Sequence, residues 1–224
     1  MLPLRDSQPS RSFPAVTVWL IAINVFLFLF EFTLDAFSRN HFVAEYGMVP
    51  AAFRPTSLVT SMFLHGGWMH LIGNMWFLWI YGDNVEDLLG RWRYVGFYLA
   101  CGVASALVHL MFNLGSRIPT IGASGAIAGV MGAYLITYPH ARIVTLLPII
   151  IFFTTVELPA WFILIYWFVI QFFSGFGELA TSTGVEQGGV AWFAHVGGFV
   201  AGAALVKLLP THPRYRAYPE LHWR

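Results

Sequence analysis

Two residues with complementary chemistry lie in separate apolar segments of this 224-residue chain. Ser124 follows Gly122 and Ala123, and His195 precedes a valine and two glycines. A serine hydroxyl is a weak nucleophile unless a neighbouring base takes its proton, and histidine is the base most often used. If the fold brings the two side chains within hydrogen-bond reach, we expect metal-free acyl transfer, with Ser124 as nucleophile and His195 as general base.

Two further polar side chains occupy another apolar segment. His70 and Asn74 are separated by one helical turn and share one helix face. Polar groups at membrane depth cost free energy, so their presence there needs a reason. Because no Asp or Glu lies in the inner part of any apolar segment, the sequence predicts a dyad rather than a triad. We interpret His109 and Gln171 as polar groups satisfied within a helix bundle.

The composition indicates that helices in a lipid bilayer position these residues. The chain is 58% hydrophobic and 10% charged, with a mean hydropathy of +0.67, whereas soluble domains carry about 25% charged residues. The net charge of +1 and the lack of a basic stripe argue against a nucleic-acid partner. The single cysteine, Cys101, excludes an intramolecular disulfide.

A membrane-spanning helix needs about 20 mostly apolar residues. Six segments meet this requirement: residues 15–37, 62–82, 92–114, 120–138, 157–175 and 190–209. The additional apolar run at 143–156 is short and contains Pro148, so we predict an interfacial or re-entrant segment there. The predicted fold class is therefore an all-α polytopic membrane protein. Its six-helix domain spans residues 15–209, between cytoplasmic tails at 1–14 and 210–224.

The distribution of basic residues predicts the orientation. With six spans, nine of the 12 Lys and Arg residues fall on the side of both termini, which the positive-inside rule makes cytoplasmic. At about 1.5 Å per residue, His70, Ser124 and His195 then lie about 18–21 Å above the cytoplasmic helix ends, and Asn74 about 12 Å above. The polar side chains of three helices are thus expected at similar depth.

Glycines at helical spacing predict which helices meet. Gly125 and Gly129 follow Ser124 along the fourth span, and Gly198 and Gly202 continue the face of His195 in the sixth. Small residues at this spacing let two membrane helices approach closely. We therefore predict that these two spans pack through their glycines, which would bring the nucleophile to its base. We also assign Gly122, which precedes Ser124 by two residues, to this helix packing around the site.

Three motifs on the second, fourth and sixth spans resemble those of the rhomboid intramembrane serine proteases. They are His70-x-x-x-Asn74, Gly122-Ala-Ser124-Gly125 and Ala194-His195-Val-Gly197-Gly198. The resemblance covers roughly residues 15–209. It implies a serine-type endopeptidase with Ser124 as nucleophile and His195 as general base. It also implies that His70 and Asn74, together with the backbone N–H of Ser124, donate hydrogen bonds to the oxyanion.

The resemblance further implies substrates that are single-pass transmembrane proteins, and a fifth span that controls their access. This sequence departs from the family pattern at one position. Some members carry an aromatic residue four positions after the serine, where it stacks on the catalytic imidazole, and here that position is Ala128. Other side chains must therefore hold the His195 ring.

Other function classes fit less well. A catalytically inactive rhomboid-like protein that binds membrane-protein clients is the main alternative, although such proteins normally lack the serine or the histidine. A channel or transporter would predict inverted repeats, and a zinc protease would need three tight ligands. We expect no cofactor or metal, and we expect the chain to reside in a prokaryotic cytoplasmic membrane.

Overall fold

The computed structural model describes residues 2–149, 152–181 and 191–211, and this part of the chain is mostly helical. The helices are α1 (Ala15–Thr33), α2 (Ala36–Tyr46), α3 (Ser57–Thr60), α4 (Trp68–Leu89), α5 (Arg91–Phe112), α6 (Ser124–Thr137), α7 (Ala160–Thr181) and α8 (Trp192–Leu208). Short 3-10 turns at Pro50–Ala52 and Ser61–Phe63 lie in the connection between α2 and α4.

The long helices coincide with the segments predicted to cross the membrane. Each of the six predicted segments overlaps one of the helices α1, α4, α5, α6, α7 and α8, and α4, α5 and α7 extend beyond the predicted bounds. In the part of the chain that the structure describes, three stretches are long and apolar enough to cross a bilayer, Ala15–Thr33, Arg91–Phe112 and Ala160–Gly177, while α6 and α8 are shorter apolar helices. The chain therefore has the character of a membrane protein, and the count of six crossings stays a prediction. Residues 212–224 of the predicted C-terminal tail lie outside the described residues.

Helix α6 forms the centre of the bundle. Every residue from Gly125 to Tyr134 is buried, and the helix packs most extensively against α8, then against α5 and α4. Six of these ten buried positions are glycine or alanine, so neighbouring backbones can approach closely. Because Ser124 is the first residue of α6, this packing fixes its position at one end of the most buried helix.

A three-stranded antiparallel sheet corrects the all-α prediction. Strand β2 (Arg142–Ile149) pairs with β3 (Phe152–Pro159), and β2 also pairs with β1 (Leu2–Asp6). The run at 143–156, predicted as an interfacial or re-entrant segment, thus lies in two paired strands, except for residues 150 and 151, which lie outside the described residues. Its β-branched residues favour strands, and Pro148 disfavours a helix. Its position relative to the bilayer stays a prediction.

The N-terminal strand packs on the helices rather than extending away as a simple tail. The Trp76 indole N–H of α4 donates to the carbonyl oxygen of Pro3 at 2.7 Å. The Tyr134 hydroxyl of α6 donates to the Asp6 carboxylate. Burial raises the pKa of Asp6 to about 6, and the hydrogen bond from Tyr134 opposes this shift. Residues of the predicted 1–14 tail therefore join the folded core.

A buried carboxylate near the end of α4 holds the beginning of α1. Glu86 accepts hydrogen bonds from the backbone N–H groups of Val16 at 2.9 Å and Thr17 at 2.8 Å, and from the Thr17 hydroxyl at 2.9 Å. The first N–H groups of a helix have no partner within the helix, and a negative charge there is favourable. Glu86 therefore fixes α1 against α4, on whose opposite end His70 and Asn74 lie.

Candidate active site

The serine begins a helix directly after a constrained loop. Gly122 has a φ of +124°, and its backbone N–H donates to the Ser61 carbonyl at 2.9 Å. A side chain at position 122 would be strained, and its Cβ would lie 2.7 Å from the His70 ring. Only glycine lets the loop pass so close to His70 and then place Ser124 in the first turn of α6, where backbone N–H groups lack helical partners.

The structure brings the serine and the histidine together. The Ser124 Oγ lies 2.8 Å from Nε2 of His195, which is buried in α8. The two residues are far apart in sequence, so the contact depends entirely on how α6 and α8 pack. This distance is normal for a hydrogen bond and suits proton transfer from the hydroxyl to the imidazole.

Glycines let α6 and α8 meet backbone to backbone. A Cβ added at Gly198 would lie 2.0 Å from the Gly125 carbonyl oxygen, and one at Gly202 would lie 1.9 Å from that of Gly129. All four glycines belong to the stripes through which the fourth and sixth spans were predicted to pack. Gly125 and Gly129 also face α5, where added Cβ atoms would collide with Ser105 and Cys101. Cys101 is thus a buried packing residue.

The second polar pair lies beside the serine. An added Cβ at Gly122 would be 2.7 Å from Nε2 of His70 and 3.6 Å from Nδ2 of Asn74, which places both side chains next to the loop that leads to Ser124. The Gly66 N–H points to Nδ1 of His70 at 3.4 Å. When Nδ1 accepts this bond, the ring proton is on Nε2, the atom that faces the site.

Two residues outside the predicted site hold its members in place. The Asn74 Nδ2 donates to Nε2 of His65 at 3.0 Å, so His65 anchors the predicted oxyanion donor as well as the loop before α4. The Nδ1 atom of His195 lies 2.6 Å from Oε1 of Gln171 in α7. Gln171 is indeed satisfied within the bundle, as expected, but its partner is the histidine of the site.

The position that is aromatic in some rhomboid proteases holds the fully buried Ala128 here. The Trp167 ring of α7 lies beside the His195 imidazole instead, with centroids 5.7 Å apart and an interplanar angle of 35°. Trp167 and Gln171 are one turn apart on α7, so a single helix face contacts the imidazole. The sequence signal for this face is an amide one turn after a tryptophan in the most apolar part of the helix.

These side chains border a cavity of about 670 Å³. Ser124, His195, His70 and Asn74 all line it. His109 also lines it and bonds to the Thr120 hydroxyl at 2.9 Å, which satisfies this polar group as expected. The cavity is large enough to admit a segment of polypeptide and a water molecule beside the serine.

The arrangement can support nucleophilic attack by Ser124 and stabilisation of the negative charge that follows. The base is 2.8 Å away, and neutral N–H donors from Asn74 and His70 lie on the α4 side. Within the described ranges, no group of three or more His, Cys, Asp or Glu side chains has an arrangement that could hold a metal ion. The hydroxyl of Ser124, the imidazole of His195 and the neighbouring N–H donors are the kinds of group that nucleophilic acyl transfer uses.

A family model described as Rhomboid domain matches residues 52–211. The chain is also similar to Rhomboid protein 1, mitochondrial, of Saccharomyces cerevisiae, with 29% identity over 150 residues that cover 65% of this chain and 39% of the yeast protein. Rhomboid protease GluP of Bacillus subtilis is 34% identical over 127 residues, which cover 54% of this chain and 24% of that protein.

Presenilin-associated rhomboid-like protein A, mitochondrial, of Danio rerio is 37% identical over 98 residues, covering 42% of this chain and 26% of the zebrafish protein. The matches thus span between a quarter and two fifths of the length of these relatives. Because the yeast and zebrafish relatives are mitochondrial, the expectation of a prokaryotic cytoplasmic membrane is not supported.

Proposed function

The chain belongs to the rhomboid family, and from this premise we propose that it is an intramembrane serine endopeptidase that cleaves transmembrane segments of other proteins. The observation that carries the proposal is the 2.8 Å hydrogen bond between Ser124 and His195, made across two helices whose backbones touch through glycines. A weak nucleophile becomes reactive when a base is held at this distance.

The first chemical step forms a tetrahedral intermediate. The Ser124 Oγ attacks the scissile carbonyl carbon while its proton passes to Nε2 of His195. The negative charge that develops on the carbonyl oxygen is stabilised by Asn74 and His70 and by the backbone N–H of Ser124. Donors arranged in advance are most effective where water is scarce, and each is worth about 2.7–4 kcal/mol.

The second half of the reaction releases two products in turn. The imidazolium of His195 gives its proton to the leaving amine, which leaves an acyl group on Ser124. A water molecule in the cavity then gives a proton to His195 and attacks the ester carbon. The second tetrahedral intermediate collapses as His195 returns the proton to the Ser124 oxygen, which breaks the bond to the acyl group, releases the carboxylic acid product and restores the free serine. Because the cavity must admit this water, we place the site in the outer half of the bilayer, as the depth of the polar residues on three helices predicts.

The proposed topology has six membrane-crossing helices, with both ends of the chain on the cytoplasmic side or its equivalent. It is supported by the asymmetry of Lys and Arg and by the need for α6 and α8 to run in the same direction for their polar ends to meet. Reporter domains fused after Tyr138 and after Pro210 should lie on one side, and a fusion after Ser116 on the other. A C-terminal fusion on the side of Ser116 would contradict the topology.

The activity is tested with purified protein in lipid vesicles and a fluorescent single-pass transmembrane substrate. Ser124→Ala and His195→Ala should each abolish cleavage, and the double variant should be no worse than either single variant because the two residues act as one unit. Ser10→Ala and His41→Ala alter the same residue types at exposed positions and should cleave normally.

Full activity of Ser124→Ala would refute the proposed nucleophile. If the wild-type protein binds transmembrane substrates without cleaving any of them, the client-binding alternative is favoured instead. That outcome would also make the variants indistinguishable from the wild type in the cleavage assay.

A further inference from the structure

Gln171 is a buried amide in an otherwise apolar part of α7. Only 7% of the residue is exposed, and its Oε1 lies 2.6 Å from Nδ1 of His195. Keeping an amide in such a helix costs free energy unless it is hydrogen-bonded. Within the described residues, the bond that satisfies this amide oxygen is the one to the histidine beside Ser124.

The chemistry of the amide oxygen determines where the imidazole proton lies. A carbonyl oxygen accepts hydrogen bonds and cannot donate them, so Nδ1 of His195 must carry the proton. In the neutral ring, Nε2 then has a free lone pair, and it faces the Ser124 hydroxyl at 2.8 Å. Hydrogen bonds thus run in one direction, from Ser124 to His195 to Gln171. The opposite tautomer would place a proton on Nε2 and prevent it from acting as a base.

We propose that Gln171 is a positioning residue that fixes the tautomer and the ring orientation of His195. This is the orienting task that a carboxylate performs in a serine protease triad, done here by a neutral oxygen. Trp167, one turn earlier on α7, lies beside the same ring and limits its rotation. The kinetic consequence rests on the proposed protease function, whereas the tautomer is a property of the resting protein.

The neutrality of Gln171 has a chemical consequence. A carboxylate at this position would stabilise the imidazolium by charge, whereas an amide orients the neutral ring without favouring its protonation. The other titratable groups that face His195 are His70 of α4 and His109 of α5. The surroundings described for His195 therefore contain no anion, and Gln171 holds a base that stays uncharged until it takes the proton of Ser124.

The tautomer is measured by ¹⁵N NMR of the full-length protein in micelles with ¹⁵N-labelled histidine, where the His195 signals are assigned by their loss in His195→Ala. The wild type should show the proton on Nδ1. Gln171→Leu, which has a similar volume but no acceptor, should shift the population toward the Nε2-protonated form. Asn24→Leu is the matched control, because Asn24 is a buried amide that bonds to Leu20 within its own helix. It should leave the His195 signals unchanged.

The kinetic test uses the same variants in the cleavage assay. Gln171→Leu should lower kcat by about 10- to 100-fold with KM nearly unchanged, because only the fraction with the correct tautomer reacts. Gln171→Glu restores an acceptor and should recover most of the rate at high pH. The added charge should move the acidic limb of its kcat/KM profile to higher pH. Asn24→Leu should alter neither kcat nor the profile.

The results separate this proposal from the proposed function. An Nδ1 proton in the wild type that is lost in Gln171→Leu supports the positioning role even if no substrate is cleaved. A wild-type signal from the Nε2-protonated form, or an unchanged tautomer in Gln171→Leu, would overturn it. So would a loss of rate that equals the loss of folded protein in thermal unfolding, or identical pH profiles for Gln171→Leu and Gln171→Glu.

Discussion

Gly198 offers a direct way to move the histidine away from the serine without touching either residue. It lies one turn after His195 on α8, and its Cα faces the carbonyl oxygen of Gly125, the residue next to Ser124. In Gly198→Ala, the new Cβ would lie 2.0 Å from that oxygen, and Cβ atoms in folded proteins essentially never lie within 3.0 Å of such an atom. The two helices must therefore separate by about 1 Å at this point.

This separation should weaken the dyad more than the fold. If the helices move as rigid bodies, the 2.8 Å distance between Ser124 and His195 becomes about 3.8 Å, which is beyond hydrogen-bond range. A displacement of about 1 Å in a catalytic site can reduce the rate about 100-fold. Overpacking costs about 1–3 kcal/mol of stability, and the better helix propensity of alanine returns about 0.5–1 kcal/mol.

The assay combines cleavage of a transmembrane substrate with thermal unfolding in detergent. Gly96→Ala on α5 is the matched control, because an added Cβ there meets nothing within 4 Å, so activity should be unchanged and stability equal or higher. Gly202→Ala creates a similar clash two turns from His195 and should cost similar stability with a smaller loss of rate. Wild-type cleavage by folded Gly198→Ala would refute the claim that this contact sets the distance within the dyad.

Three further predictions concern other parts of the molecule. Asn74→Ala should lower kcat about 10²- to 10³-fold in single-turnover cleavage. A wild-type rate, or a loss matching the loss of folded protein, would show that Asn74 is structural. Glu86→Ala should cost about 1–3 kcal/mol in thermal unfolding because it leaves helix N–H groups unpaired. Glu45→Ala, at an exposed ion pair, should have a clearly smaller effect, and equal effects of the two variants would contradict this prediction. Because burial raises the pKa of Asp6 from 3.8 to about 6, its protonated form should stabilise the fold fully below about pH 4, and this contribution should disappear as the pH rises through 6. Asp6→Asn should make the melting temperature depend less on pH over this range, and an unchanged pH dependence would show that another group titrates.

The positions of the helices and the contact between Ser124 and His195 follow from local features of the sequence. Long apolar segments set the positions of the helices, and glycines at helical spacing in two of these segments indicate which two helices can touch backbone to backbone. Since Ser124 and His195 sit at fixed offsets from those glycines, their meeting follows once α6 and α8 are paired. The glycines that follow Ser124 and His195 therefore indicate how the two helices pack, in addition to carrying the family resemblance.

The sheet could not be predicted because a short apolar run fits more than one structure. Residues 143–156 lack the alternation of polar and apolar residues that identifies a half-buried strand, and the run is too short to identify a spanning helix. The partner strand, Leu2–Asp6, is distant in sequence and carries no pattern of its own. Strand pairing between such segments depends on the tertiary fold rather than on local preference.

The residues that hold the site escaped prediction for a related reason. Gln171 and Trp167 contact His195 only because α7 is rotated so that this face meets α8. The sequence pattern does not show which face of such a helix meets its neighbour, because most of its faces are equally apolar. The contact between His65 and Asn74 likewise depends on the turn that precedes α4.

The central claim is that Ser124 is a nucleophile activated by His195, and mapping a fluorophosphonate adduct on the intact protein tests it most directly. The reagent should modify Ser124 stoichiometrically, with peptide mass spectrometry placing the adduct on this residue. His195→Ala should label far more slowly although it is folded, and EDTA should have no effect on the wild type. An adduct on another residue, or equal labelling rates with and without His195, would contradict the claim.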